Sequence, residues 1–183
     1  CAAIALKYAE ADTDYVIDIQ GGGSDLIFPH HDMSAAQGLI ATDQKFAQFY
    51  VHTGMIGLDG TKMSKSLGNL VFVSKLINSG VDPMAIRIAL MDHHYRQDHM
   101  WRPEEIDTAS TFLDRLRLNL AKVDVAPTDP VVLRILEHLS NDLNTTGVLE
   151  ALRTWCDATE SGESGGSAGE LSRILDDLLG LAF

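Results

Sequence analysis

With 183 residues, 45% hydrophobic and 22% charged, the chain is long enough for one domain or two small ones and has the balance of an ordinary globular protein. A net charge of −12 argues against a broad grip on a nucleic-acid backbone, and no apolar run approaches the roughly twenty residues that a membrane span needs. The two cysteines, Cys1 and Cys156, lie far apart and no secretory signal opens the chain, so no disulfide framework and a reducing, cytoplasmic setting are expected.

Residues 2–10 are strong helix formers with an apolar majority, and Tyr15 to Ile19 is β-branched and reads as a buried strand. Gly21, Gly22 and Gly23 follow, then Ser24 and Asp25. A glycine run after a strand lets backbone approach a ligand and lets amides face an anion, and it fits a plain tight turn as well. Asp25 fits a turn cap equally. Leu26 to Pro29 leads to His30, His31 and Asp32, where neutral imidazoles beside a carboxylate are candidate metal ligands. Neighbouring side chains diverge, so at most one histidine of the pair binds and the other supports it. Residues 33–41 read as a helix, and Phe46 to His52 as a core strand or turn.

The stretch Leu58-Asp59-Gly60-Thr61-Lys62-Met63-Ser64-Lys65-Ser66-Leu67-Gly68-Asn69 comes next. Its two lysines are bracketed by Gly60 and Gly68, so the loop can hinge and bring two ammonium groups to one place, suited to a phosphate chain that gains charge as it leaves. A solvated polar surface loop is the plain alternative. Val71 to Ile77 leads into a short helix that stops at Gly80. Asp82 as N-cap and Pro83 at the first position start a helix to Met91. A long helix opens at residues 102–105 and runs to about Lys122, with Phe112, Leu113, Leu116 and Leu120 on one stripe. Val131 to Leu139 is helical, Asn144 caps a helix to Thr159, and Ser161 to Gly169 is a Gly/Ser-rich connector. Leu171 to Leu179 closes the chain, with Gly180 in the stop position. Cys156 beside Trp155 reads as a small buried hydrophobe. His31, His93, His94 and His99 carry no assigned role, and Tyr95, Arg96 and Trp101 read as packing residues.

Read together, Cys1 to Ala5, Asp18 to His31, His52 to Gly57 and the lysine loop resemble the cysteine-activating class I ligases. Lys62-Met63-Ser64-Lys65-Ser66 looks like the KMSKS signature loop of class I aminoacyl-tRNA synthetases, which helps expel pyrophosphate when a carboxylate attacks ATP. Two relatives share the layout: cysteinyl-tRNA synthetase, and the cysteine ligase of mycothiol biosynthesis, which joins cysteine to the amine of glucosaminyl-inositol. The resemblance implies an α/β region followed by an all-α one. Residues 1–80 would be the second half of a Rossmann-like catalytic domain and residues 81–183 a helical bundle. It implies zinc at Cys1 and His30 and an adenylate site at Gly23, Ser24, Asp25 and the backbone of Ile56. Lys62 and Lys65 would be catalytic, with Met63, Ser64 and Ser66 completing their loop. A further cysteine ligand and the ATP-holding His-Ile-Gly-His type motif would belong to an upstream half, so the chain reads as a fragment inactive by itself.

Two departures favour the mycothiol-pathway branch. Ser34 stands where the synthetases usually carry a zinc-binding glutamate, and Gln20 where they typically have histidine. The segment from His94 to Trp101 also looks more like that ligase, and no Lys/Arg cluster is present to follow RNA. Against it stand a somewhat long segment from Lys7 to Asp14 and aspartate at position 32. The expected partners are L-cysteine, ATP (with magnesium) and glucosaminyl-inositol, not tRNA and not a membrane, and the expected state is a monomer. Cysteinyl-tRNA synthetase and a non-catalytic fragment are the other readings.

Overall fold

The computed structural model of the chain describes residues 2–7 and 13–183. The expectation of a helix over 2–10 holds for α1 (Ala2–Lys7); residues 8–10, and Cys1 with its expected metal-binding role, lie outside the described residues. The chain divides into two compact units. One comprises residues 1–57 with 96–99, the other 58–95 with 100–183.

The first unit is a βαβ crossover. Strand β1 (Tyr15–Gly23) pairs in parallel with β2 (Lys45–Thr53), from Tyr15 opposite Lys45 to Gly23 opposite Thr53. Between them a short 3-10 turn (Ser24–Leu26), a kinked segment (Ile27–His31) in which Phe28 is extended at φ −136°, ψ 136°, and α2 (Asp32–Thr42) carry the chain back, as parallel pairing requires. Asp43, left-handed at φ 58°, closes α2. Val16, Phe46 and Ala47 form a small core, supported by Ala5, Leu6, Ile17 and Ala35. Gly38 is in α2 because any side chain there would strike the Phe46 ring. The expected burial of the whole first strand holds at Val16 and not at Ile19, which is 62% exposed. Ile19 lies opposite Phe49, itself exposed, so this end of the ribbon is uncovered among the described residues.

Two short strands, β3 (Ile56–Leu58) and β4 (Thr61–Lys62), lead out of the first unit. Asp59 and Gly60 between them both have positive φ (51° and 78°), the conformation of a tight hairpin turn for which Asp-Gly is a strong signal.

The second unit is helical: α3 (Val73–Asn78), α4 (Pro83–Met91), α5 (Glu104–Leu120), α6 (Asp129–Ser140), α7 (Thr145–Glu160) and α8 (Ala168–Leu179). The chain re-enters it through the short strand β5 (His99–Trp101). The expected caps are present. The Asp82 carboxylate accepts from the Met84 amide at 2.8 Å, Asn144 Oδ1 accepts from the Gly147 amide at 3.1 Å, and Gly180 is left-handed at φ 63°. The long helix ends at Leu120 and not Lys122, and Gly169 belongs to the last helix and not to the connector. Ile88, Leu113, Leu116, Ile135, Leu149, Leu152, Leu171, Leu175 and Leu181 are fully buried and make one continuous core. Cys156 is buried among them, and burial pushes its thiol up to about 11, so it is inert as expected. Among the described residues no helix is long and apolar enough to cross a membrane.

Polar clamps tie the helices. The Arg115 guanidinium donates to the Glu160 and Asp157 carboxylates, and the buried Asn119 amide donates to Glu160 Oε1 at 2.8 Å. Arg153 lies over the Phe112 ring and donates to both oxygens of Asp92 at 2.9–3.0 Å. Tyr95 donates to Asp142 Oδ1 at 2.7 Å, which agrees with a packing role.

The Arg115 and Asn119 hydrogen bonds hold the Glu160 carboxyl at about 2, down from 4.5. Its native pKa is depressed, so its contribution is complete above about 4.5 and is lost as pH falls toward about 2. Thermal unfolding followed from pH 6 to pH 2 is expected to show that loss, and Glu160→Gln, which cannot titrate, to flatten the acid limb.

Candidate functional site

The centre of the first unit is the end of β1. The glycine run is not a loop after the strand: β1 continues through Gly21, Gly22 and Gly23, each paired with β2 up to Thr53. What the glycines permit is close approach of side chains to the strand. A Cβ on Gly22 would lie 2.8 Å from Leu26 Cδ1 and 3.0 Å from His31 Cε1. One on Gly23 would lie 2.6 Å from the Asp25 carboxylate and 3.2 Å from Met55 Sδ.

His31 is only 3% exposed. The Gln20 amide nitrogen donates to its Nε2 at 3.0 Å. That places the His31 proton on Nδ1, from which it is donated to His52 Nε2 at 2.7 Å. Burial first, then the His52 and His30 rings, pull its pKa below the usual histidine value, which favours the neutral ring. With one nitrogen accepting and the other donating, His31 keeps no lone pair for a metal. The His30 ring is exposed, with its centroid 5.6 Å from that of His31. Of the pair, His31 is the ring turned inward and His30 the exposed one. Ser34 is buried in α2 at 6% exposure.

Gly23, Ser24 and Asp25 form a contiguous shelf at the strand end and the turn that follows, with Asp25 exposed and its carboxylate set against Gly23. Ile56 opens β3 and is exposed. The backbone just before it is pinned inside the same unit. The Met55 amide donates to Asp98 Oδ1 at 2.7 Å, the His99 amide donates to the Met55 carbonyl at 2.9 Å, and a Cβ on Gly54 would collide with the Gln97 carbonyl. The sequence draws attention to Gln20 and to the segments holding His52, Gly54 and Asp98, but not to their roles as supports. Their partners are 11 to 43 positions away, and no local signal marks those pairings.

Lys62 and Lys65 belong to the second unit, and both are exposed. Met63 between them is half-buried and packs on the bundle core. Residues 65–68 turn, with the Gly68 amide donating to the Lys65 carbonyl at 3.3 Å. Ser64 and Ser66 share a hydroxyl–hydroxyl bond of 3.1 Å. The Asn69 side chain reaches back across the loop: Oδ1 accepts from the Ser64 amide at 2.9 Å, and Nδ2 donates to the Lys62 carbonyl and Thr61 Oγ1, both at 3.3 Å. In the same unit His93 Nε2 is 3.7 Å from Glu105 Oε2, and His94 Nε2 donates to the Asp142 carbonyl at 3.1 Å.

Residues 1–111 match the family model described as the tRNA synthetases class I (C) catalytic domain. Among curated proteins the chain is similar to several named L-cysteine:1D-myo-inositol 2-amino-2-deoxy-alpha-D-glucopyranoside ligase. The one from Rhodococcus erythropolis is 50% identical over 188 residues, covering 100% of this chain and 44% of that protein. The one from Gordonia bronchialis is 48% identical, covering 99% and 44%, and the one from Actinosynnema mirum 50% identical, covering 100% and 44%. The chain thus spans less than half the length of these relatives. Among solved structures, the Agrobacterium radiobacter LeuRS-tRNA-LeuAMS ternary complex aligns with TM-score 0.69 and 18% identity over 89% of this chain and 26% of that one, a likeness of fold.

The geometry at Gly22 makes a prediction about packing. Gly22→Ala has to displace Leu26 and His31 and is expected to cost about 1–3 kcal/mol, whereas Gly21→Ala, 3.9 Å from the Val51 carbonyl, stays within about 1 kcal/mol. Denaturant unfolding of the two variants checks the contrast.

Proposed function

We propose, from the premise that the chain belongs to the tRNA synthetase class I (C) catalytic-domain family, that it is part of an ATP-dependent ligase. The enzyme activates L-cysteine as cysteinyl-adenylate and passes it to the amine of glucosaminyl-inositol, releasing pyrophosphate and AMP. The observation that carries this reading is the 44–50% identity, across nearly the whole chain, to relatives all named as that cysteine–aminosugar ligase. We assign residues 1–80 to the catalytic domain and 81–183 to the helical bundle.

In this reading the shelf of Gly23, Ser24 and Asp25 lies against the adenylate, with Asp25 taking the ribose hydroxyls. The backbone of Ile56, steadied through Met55 by Asp98, meets the adenine. Lys62 and Lys65 meet the departing phosphates, which magnesium accompanies. The work is positioning and charge, with little covalent chemistry for the protein. Zinc is assigned to His30 together with Cys1. Imidazole and thiolate are both good zinc donors, and the exposure of His30 supports this assignment. When bound, zinc would select a sulfur-bearing amino acid by ligand softness. A free-thiol substrate suits a reducing cytoplasm, and the enzyme is proposed to act as a monomer.

The family model's own description favours a second reading, cysteinyl transfer to tRNA. Against it stands the net charge of −12, with 14 Lys and Arg against 26 Asp and Glu, which disfavours a broad grip on a phosphate backbone. One assay separates the two: the complete enzyme is expected to show cysteine-dependent ATP–pyrophosphate exchange and to acylate glucosaminyl-inositol. Charging of tRNA without acylation of the amine would reverse the assignment. Lys62→Ala and Lys65→Ala are each expected to lower the exchange rate about 10²–10³-fold. His30→Ala is expected to lose zinc on metal analysis after dialysis. The 183-residue chain alone is expected to give no exchange, and exchange by it would overturn the assignment of ATP gripping to residues outside it.

A further inference from the structure

We infer that Asn69 is a positioning residue that sets the separation and direction of Lys62 and Lys65; the catalytic part of this inference rests on the function proposed above. A carboxamide offers an acceptor oxygen and two N–H donors on one rigid plane. In Asn69 the oxygen takes the Ser64 amide at 2.9 Å, while the nitrogen gives to the Lys62 carbonyl and to Thr61 Oγ1 at 3.3 Å each. These partners stand on both sides of Met63, so one side chain cross-links the backbone of residues 61–64 much as a neighbouring strand would.

The partners leave no other arrangement of donors. Thr61 Oγ1 donates its proton to the Leu58 carbonyl at 3.1 Å, so toward Asn69 it can only accept. The Lys62 carbonyl likewise accepts only, and the Ser64 amide only donates. An amide satisfies all three. A carboxylate would keep the Ser64 bond and set its other oxygen against two acceptors.

The rest of the loop is built around this brace. Gly68, left-handed at φ 68°, turns the chain so that Asn69 faces the arc. Met63 fastens the middle of the arc to the bundle core. The Leu67 amide donates to Ser64 Oγ at 3.3 Å, and Ser64 bonds Ser66, so the Lys65 turn is tied to the same residue that Asn69 holds. The two ammonium stems therefore leave a frame fixed at one point and hinged at Gly60 and Gly68. Two long cationic side chains on an unbraced loop would spend little time pointing at one phosphate chain.

The test compares Asn69→Ala and Asn69→Asp with the wild type in the complete enzyme, by two readouts. Amide hydrogen exchange is expected to speed up at Ser64 by about tenfold in Asn69→Ala, with the unfolding temperature unchanged. Cysteine-dependent ATP–pyrophosphate exchange is expected to lose about 10- to 100-fold in kcat, with the KM for cysteine unchanged, and Asn69→Asp to lose at least as much. An unchanged Ser64 amide in Asn69→Ala overturns the brace. A faster amide with full exchange activity overturns the positioning role, as does a loss confined to the KM for cysteine or a lowered unfolding temperature. Absence of exchange in the wild type would sink the functional reading and the positioning role with it, while the hydrogen-exchange result would still decide the brace.

Discussion

The first unit depends on a bare strand edge. Because Gly22 has no side chain, the imidazole of His31 lies directly against β1. In that slot its two nitrogens are taken up by Gln20 on the same strand and His52 on the next. A buried polar ring must have partners or cost free energy, so the pair of partners dictates both its tautomer and its orientation. Two consequences follow along the chain. The neighbouring histidine is exposed, and the turn that leads into this segment sets the Asp25 carboxylate on Gly23. A shelf, an outward imidazole and an ordered strand end thus share one origin: the absence of methyl-sized bulk at two successive positions.

The second unit works on a different principle. Its stability comes from apolar stripes on amphipathic helices meeting in one core, with ion pairs and caps adding direction at the edges. Arg115 gathers Glu160 and Asp157, and Arg153 joins Asp92 while covering Phe112, so α5, α7 and the end of α4 are held in register. From that rigid body the lysine loop projects, anchored by Met63 and shaped by Asn69. Two lysines three positions apart repel each other, and these contacts fix the backbone that carries them.

Gln20 shows how a departure from a family pattern can be read physically. In sequence it is only a residue that stands where synthetases typically have histidine. In the fold it donates to His31 and so decides which nitrogen of that ring carries the proton. An amide fills the place while bringing no titratable group of its own. Ser34, the other departure, is buried in α2 and offers a short hydroxyl in place of a carboxylate.

What was legible in the sequence is what local chemistry encodes. The Asp82–Pro83 start, the Asn144 cap, the Gly180 stop, the apolar stripe of α5 and the inert Cys156 each depend on a few neighbouring residues, and they stand as read. The family resemblance was legible for the same reason, since its motifs are short and contiguous. The tertiary structure alone decided that the glycines belong to the strand, that Ile19 is left exposed, and that His31 and not His30 turns inward. Those outcomes depend on the register of β1 against β2, some thirty residues apart, and on partners that arrive from other elements. Adjacent side chains point in different directions, but which one faces inward is settled by the space and hydrogen bonds waiting there, and no local propensity carries that information.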